Sequence, residues 1–267
     1  MDQQSKVAVI GAGVMGEALI AALISSGVKP DHITISEKRE DRAQELISKY
    51  SIKSADLNAN VSDADALLLV VKPQDMATVL EEIKGSINPK AVVVTFAAGK
   101  TISFISNGLG TNNPVVRVMP NTPTLVGKGM AAASLGAGVT DAQRDFVLGF
   151  LAATGTVIEV SEDLQDAVTA TSGSGPAYFF AFVEAMVAGA QELGLSEKDA
   201  TTLTVQTLLG AATLLEESGK SATTLRENVT SPNGTTAAAL ASFGSDSLNS
   251  MVAKAMKAAR DRSQELA

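Results

Sequence analysis

The sequence predicts an α/β protein in two parts: a doubly wound parallel sheet over residues 1–160, then an all-helical domain over residues 161–267. Three observations lead there. Short β-branched apolar runs alternate with helical patterns up to about residue 160. A glycine-rich stretch, G-A-G-V-M-G at residues 11–16, follows the first of those runs directly. Beyond about residue 161 the strand patterns stop and long helical patterns take over.

Residues 6–10, 33–36, 66–71, 91–96 and 115–118 read as strands. Their continuous apolarity suits a sheet covered on both faces. Between them, residues 15–26, 41–50, 74–83 and 101–109 read as helices. That alternation implies parallel strands joined by helical crossovers. A further helix is expected over 141–152, with Thr140 and Gln143 as a capping box. Residues 156–160 then supply a closing edge strand.

In the second half, residues 164–171, 176–193, 197–217 and 248–266 read as helices. Ser196 and Asp199 mark one helix start, and Pro176 suits the first position of another after Ser174-Gly175. Residues 178–188, Y-F-F-A-F-V-E-A-M-V-A, are apolar almost all round. A helix of that kind is buried on most sides. One small helical domain offers little cover, which points to a subunit interface; the alternative is the central helix of a monomeric bundle.

Composition excludes several function classes. There is no Cys, hence no disulfide and no thiol nucleophile. The single His, His32, precedes the second strand, so a His-based triad or a His-rich metal site is not expected. The net charge of −8 and the lack of a long Lys/Arg run argue against a nucleic-acid partner. The most membrane-like stretch, residues 7–24, carries Glu17 and three glycines, and reads better as strand, turn and helix. The expectation is a cytoplasmic protein with no membrane association.

Two stretches carry chemistry. In the first, Gly11 permits a tight turn, Gly13 close approach of a pyrophosphate, and Gly16 close packing; Val14 and Met15 lie between them. Strand, glycine loop and helix in that order form a Rossmann-type dinucleotide site. Glu37 ends the second strand, where an acid accepts from a ribose 2′-OH and favours NAD. Lys38 and Arg39 follow at once and suit a 2′-phosphate, favouring NADP. The sequence leaves that choice open. Val71, Lys72 and Pro73 follow the third strand, and Ala97, Ala98 and Gly99 the fourth, where small residues would admit a nicotinamide ring. Met119, Asn121 and Thr122 sit on a proline-flanked loop after the fifth. Strand ends of this kind line the ligand crevice.

The second stretch is V-T-S-P-N-G-T-T at residues 229–236, between a charged helical segment and an Ala-rich one. Small hydroxyl residues, Pro and Gly there build a loop entering a helix, whose free N–H groups attract an anion such as a small carboxylate. The pairing suggests a nicotinamide enzyme with a two-part active site.

Taken together, G-A-G-V-M-G-E-A-L, V-V-K-P, A-A-G-K-T-I, R-V-M-P-N-T-P, D-A-V-T-A-T-S-G-S-G-P-A-Y and T-S-P-N-G-T-T resemble the Δ1-pyrroline-5-carboxylate reductase family in order and spacing. The resemblance implies an oxidoreductase that reduces a cyclic imine carboxylate to L-proline, the last step of proline biosynthesis, with NADPH or also NADH. It implies Ser231, Gly234, Thr235 and Thr236 as the substrate-carboxylate loop, Thr236 beside the ring nitrogen as the catalytic contact, and Asn228 and Val229 flanking the pocket. Asn228, Met119, Asn121 and Thr122 would serve the nicotinamide side, and Ser36 and Asn58 the adenosine side. It further implies homodimers through the helical domain, assembled in many members into decamers of five dimers. One departure is Asn233, where the family usually has Gly. If that position needs positive φ, Asn is the best-tolerated substitute.

Two rivals remain at this stage. A hydroxyacid-type reductase would use a Lys or a His pair in the second domain, yet only Lys198 and Lys220 precede Lys254 there. A non-catalytic nicotinamide-binding protein would keep the glycine loop but would not need Ser231 or Thr236.

Overall fold

The computed structural model describes residues 4–266; residues 1–3 and 267 of the two expected domains lie outside the described residues. In chain order the first elements are β1 (Val7–Ile10), α1 (Val14–Ser25), β2 (Ile33–Ser36), α2 (Glu40–Tyr50), β3 (Lys53–Ser54) and α3 (Leu57–Asp63). Next come β4 (Ala66–Leu69), α4 (Met76–Ile83), β5 (Val92–Thr95), α5 (Ile102–Leu109), β6 (Val115–Met119) and β7 (Gly129–Leu135). Then follow α6 (Asp141–Ala152), β8 (Gly155–Glu159) and α7 (Gln165–Val168). The helices α8 (Gly175–Glu192), α9 (Glu197–Glu217), α10 (Ala222–Asn228), α11 (Thr235–Ser245) and α12 (Leu248–Glu265) complete the chain.

Contacts divide these into two units, residues 4–174 with 259–266, and Gly175–Ala258. The first is an eight-stranded sheet in the order β3-β2-β1-β4-β5-β6-β7-β8. Every pairing is parallel except β6 with β7. All residues of β1, β4 and β5 are buried, as their unbroken apolarity requires. Alternate residues feed opposite faces. Val7 and Val9 join Leu19, Ile20 and Phe150 on one side; Ala8 and Ile10 join Met76, Leu80 and Ile105 on the other. Full burial of each of the larger side chains among these contributes about 1.5–3 kcal/mol. The strand order reverses between β1 and β4, which opens a crevice beyond their carboxyl ends.

The structure adds elements that the sequence pattern hides. β3 spans two residues and is exposed, and α3 follows it at once, capped by the Asp56 carboxylate accepting from the Asn58 N–H. β7 reads G-M-A-A-A-S-L, and alanine carries little strand preference. It is a strand because it lies between β6 and β8, where Ala131, Ala132 and Ala133 are fully buried. The expected capping box of α6 is present in both directions between Thr140 and Gln143.

By their contacts, residues 162–174 group with the sheet. Segment 162–174 is helical, with a π turn at Thr169–Gly173, yet it packs with the sheet. Gln165, fully buried, donates to Ser134 Oγ at 2.8 Å and the Ala132 carbonyl at 3.2 Å. Buried Arg117 on β6 meets Glu162 at 3.4 Å and Asp166 at 3.6 Å. These polar anchors hold the first helical segment on the sheet.

In the second unit, α8 and α9 pack against each other, and the rings of Phe182 and Phe243 lie 6.3 Å apart. Much of its apolar surface is nevertheless open. Phe179, Phe180, Leu203 and Leu209 are each 56–62% exposed. Large apolar side chains left this exposed on α8 and α9 suit an association surface.

Candidate active site

The glycine loop is shaped by sterics. Gly11 has φ +88°, and a side chain there would strike the Val70 carbonyl at 2.9 Å. A Cβ on Gly16 would collide with the Gly11 carbonyl oxygen. At Gly13, the residue preceding α1, a Cβ would meet nothing. Turn, close packing and open space thus fall on Gly11, Gly16 and Gly13, and Gly13 presents its backbone to free space at a helix start.

That space is a crevice of about 510 Å³ lined by Gly11, Gly13, Ser36, Lys38, Val71 and Lys72 among others. Its volume lies in the range of small-molecule sites. Of the cofactor residues read from sequence, Glu37 lines it too, and Asp56, Leu57, Val79 and Glu82, which sequence reasoning missed, are also in its wall. Val14 and Met15 open α1, Arg39 sits exposed before α2, and Pro73 opens a short turn after Lys72.

Several expected contacts have structural duties. Glu37 accepts from the Ala12 N–H at 2.9 Å and the Arg39 N–H at 3.0 Å. Ser36 Oγ donates to the Ala55 carbonyl and accepts from Asn60 Nδ2, both at 3.0 Å. Asn58 is exposed in the first turn of α3, while buried Asn60 carries the side-chain bonds to β2. Asn121 donates to the Ser172 carbonyl at 3.1 Å and accepts from the Met130 N–H at 2.8 Å, bracing β6, β7 and the π turn. Met119 packs on Gly173, and Thr122 is exposed. Ala97 is buried and Ala98 half-buried. Gly99, at φ +75°, also meets a steric limit within the chain. A Cβ there would lie 2.8 Å from Leu266, so the end of the chain makes the close approach.

A second side-chain cluster flanks the loop. Arg42 donates to the Ala12 carbonyl at 3.1 Å and pairs with Glu17 and Glu45. Lys49 at 2.8 Å and Tyr50 at 3.0 Å also reach Glu17. The Lys49 and Arg42 hydrogen bonds hold the Glu17 carboxyl at about 2, well below the usual carboxylate range.

In the helical unit, the Gly234 N–H donates to the Ser231 carbonyl at 3.0 Å, closing a turn around Pro232 and Asn233. Asn233 has φ +60°. Pro followed by a residue of positive φ makes a type II turn, and this is the conformation that the departure from Gly has to supply. Gly234 then caps α11 without a side-chain bond, and the first α11 turn bond is Ala238 N–H to the Gly234 carbonyl. The N–H groups of Thr235, Thr236 and Ala237 thus sit at an open helix start. Ser231 and Val229 are exposed and Thr236 is half-buried; Asn228 ends α10, exposed, in this same unit. The Thr230 hydroxyl is occupied by the Arg226 carbonyl at 2.6 Å.

Comparison with known proteins matches both halves of the chain to described families. Residues 162–266 match the family described as pyrroline-5-carboxylate reductase dimerisation, and residues 6–99 match one described as NADP oxidoreductase, coenzyme F420-dependent. A pyrroline-5-carboxylate reductase of Corynebacterium melassecola is 42% identical over 97% of this chain and 98% of its own length. The chain belongs to the pyrroline-5-carboxylate reductase family. The structure of a family member from Coxiella burnetii superposes with a TM-score of 0.92 at 36% identity, covering 99% of each chain. A Plasmodium falciparum pyrroline carboxylate reductase with NADP bound gives 0.88 at 26% identity over 100% of this chain and 99% of that one.

The residues present fit a dinucleotide. The open Gly13 approach, the helix start of α1 and the lysines of the crevice wall suit a phosphate-bearing ligand. Among the described residues, no group of three or more His, Asp or Glu could hold a metal ion, and no helix is long and apolar enough to cross a membrane.

Proposed function

We propose that this chain reduces 1-pyrroline-5-carboxylate to L-proline with NAD(P)H, the last step of proline biosynthesis. The observation that carries the reading is near-full-length kinship to reductases of that name, 42% identical over 97% of the chain. When bound, the reduced cofactor supplies the hydride that the imine carbon accepts. Gly11, Gly13 and Gly16 shape its pyrophosphate seat, with Val14, Met15, Lys72 and Lys38 beside it. Ser231 and the N–H groups of Thr235 and Thr236 hold the substrate carboxylate, and Val229 flanks it. The Thr236 hydroxyl hydrogen-bonds the ring nitrogen. A protonated imine is already a good electrophile, so positioning supplies most of the rate.

The exposed apolar face of α8 and α9 supports a homodimer, and decamers of five such dimers extend the same reading. The cytoplasm is the proposed location. Glu37 beside Lys38 and Arg39 balances NADH against NADPH. The test is loss of reduced-nicotinamide absorbance with 1-pyrroline-5-carboxylate, run with each cofactor in parallel. Turnover supports the reaction and the rate ratio gives the preference. Absence of turnover from folded, cofactor-bound protein refutes it.

A further inference from the structure

The two peptide groups that flank the Ala12 Cα are each gripped by a residue outside the glycine motif. The Ala12 N–H donates to Glu37 at 2.9 Å, and the Ala12 carbonyl accepts from Arg42 Nε at 3.1 Å. Arg42 comes from α2, and its side chain is only 11% exposed. Its other nitrogens are taken by Glu17 and Glu45, so the guanidinium has one orientation. Ala12 stands between Gly11, with its positive φ, and Gly13, whose backbone faces the crevice. A glycine on either side of Ala12 leaves this segment with wide conformational freedom. Held at Ala12, it cannot rotate the Gly13 peptide away from a phosphate.

We infer that Arg42 is a positioning residue for the dinucleotide, acting through the Ala12 carbonyl. Glu37 is its counterpart on the N–H side, and its carboxylate braces the loop as well as facing the crevice. The inference rests on the nicotinamide-cofactor reading, and wild-type protein binding NADPH in the same titration secures that premise separately.

The ion pair alone offers a control. Glu17→Gln breaks the Arg42–Glu17 pair and leaves both Glu45 and the Ala12 contact. Arg42→Ala removes the pair and the contact together. Calorimetric titration of each folded variant with NADPH and with NADH separates the two. Arg42→Ala is expected to raise both dissociation constants by a common factor of about five to ten, the scale of one charge-assisted hydrogen bond. Glu17→Gln should stay within about twofold of wild type. At saturating cofactor, kcat of Arg42→Ala should be near wild type, which a damaged fold would not leave. Equal weakening by both variants overturns the inference, because the ion pair then matters and the carbonyl does not. An unchanged constant for Arg42→Ala overturns it too, as does a loss confined to NADPH, which would make Arg42 a direct 2′-phosphate contact. If Arg42→Ala does not fold, Arg42→Gln, which keeps a donor for Ala12 but no charge, is expected to bind within about threefold of wild type; a loss of tenfold or more overturns the inference.

Discussion

Asn233 offers the sharpest test of the substrate loop. The Ser231–Gly234 turn requires positive φ at its third residue, and Asn233 sits at +60°. A left-handed residue with a Cβ costs roughly 1–2 kcal/mol, and Asn pays less than most because its side chain is short and polar. Asn233→Gly should therefore preserve the turn, with KM for the imine within about twofold of wild type. Asn233→Ala loses the compensation of Asn. About 1 kcal/mol of strain shifts the loop from its binding shape and raises KM about fivefold. Asn233→Val, β-branched, should raise it well beyond tenfold. The loop is exposed, so stability should hardly change, and cofactor affinity should not move. Steady-state loss of reduced-nicotinamide absorbance against imine concentration measures the series. Equal KM values for Gly, Asn, Ala and Val would show that the turn does not hold substrate. A large rise in Asn233→Gly would refute the conformational argument itself.

Four further outcomes are expected. Ser231→Ala should raise KM for the imine by the equivalent of about 1–3 kcal/mol, with the NADPH dissociation constant unchanged in a parallel titration. Thr236→Ala should lower kcat/KM at every pH across a profile; wild-type activity would make Thr236 structural. Glu17 is held at about 2 against an ordinary 4.5, a ceiling of roughly 3 kcal/mol. Exposure of Lys49 and screening lower that to on the order of 1–2 kcal/mol. Because the folded value is depressed, this stability is complete above about pH 4.5 and is lost as pH falls through about 2. Urea midpoints should place Glu17→Gln below wild type at pH 7, with a gap that narrows on acidification. Leu209 is 59% exposed on α9. A two-fold contact would use it twice, so Leu209→Lys should cost about 3–6 kcal/mol of association and shift the mass seen by light scattering toward the monomer.

Periodicity and glycine placement were legible because they follow from local rules. The parallel strands announce themselves by unbroken apolar runs, α6 by its capping box, and the loop at 231–236 by Pro, Asn and Gly in turn positions. What the sequence determined by itself was therefore the alternating α/β half, the helical half, the glycine loop after β1 and the turn at 231–234. Tertiary structure decided the rest, where a residue's role depends on a neighbour remote in the chain. β7 is a strand only because β6 and β8 flank its alanines. An arginine within V-V-R-V-M was the one signal for the buried anchor at Glu162 and Asp166, but its partners lie more than forty residues away. That Gly99 also leaves room for Leu266 is visible only in the fold. Glu37 read only as a ribose contact and Arg42 drew no reading until the fold brought both to the backbone of Ala12, because hydrogen bonds to backbone depend on distance in space and leave no periodic trace in sequence.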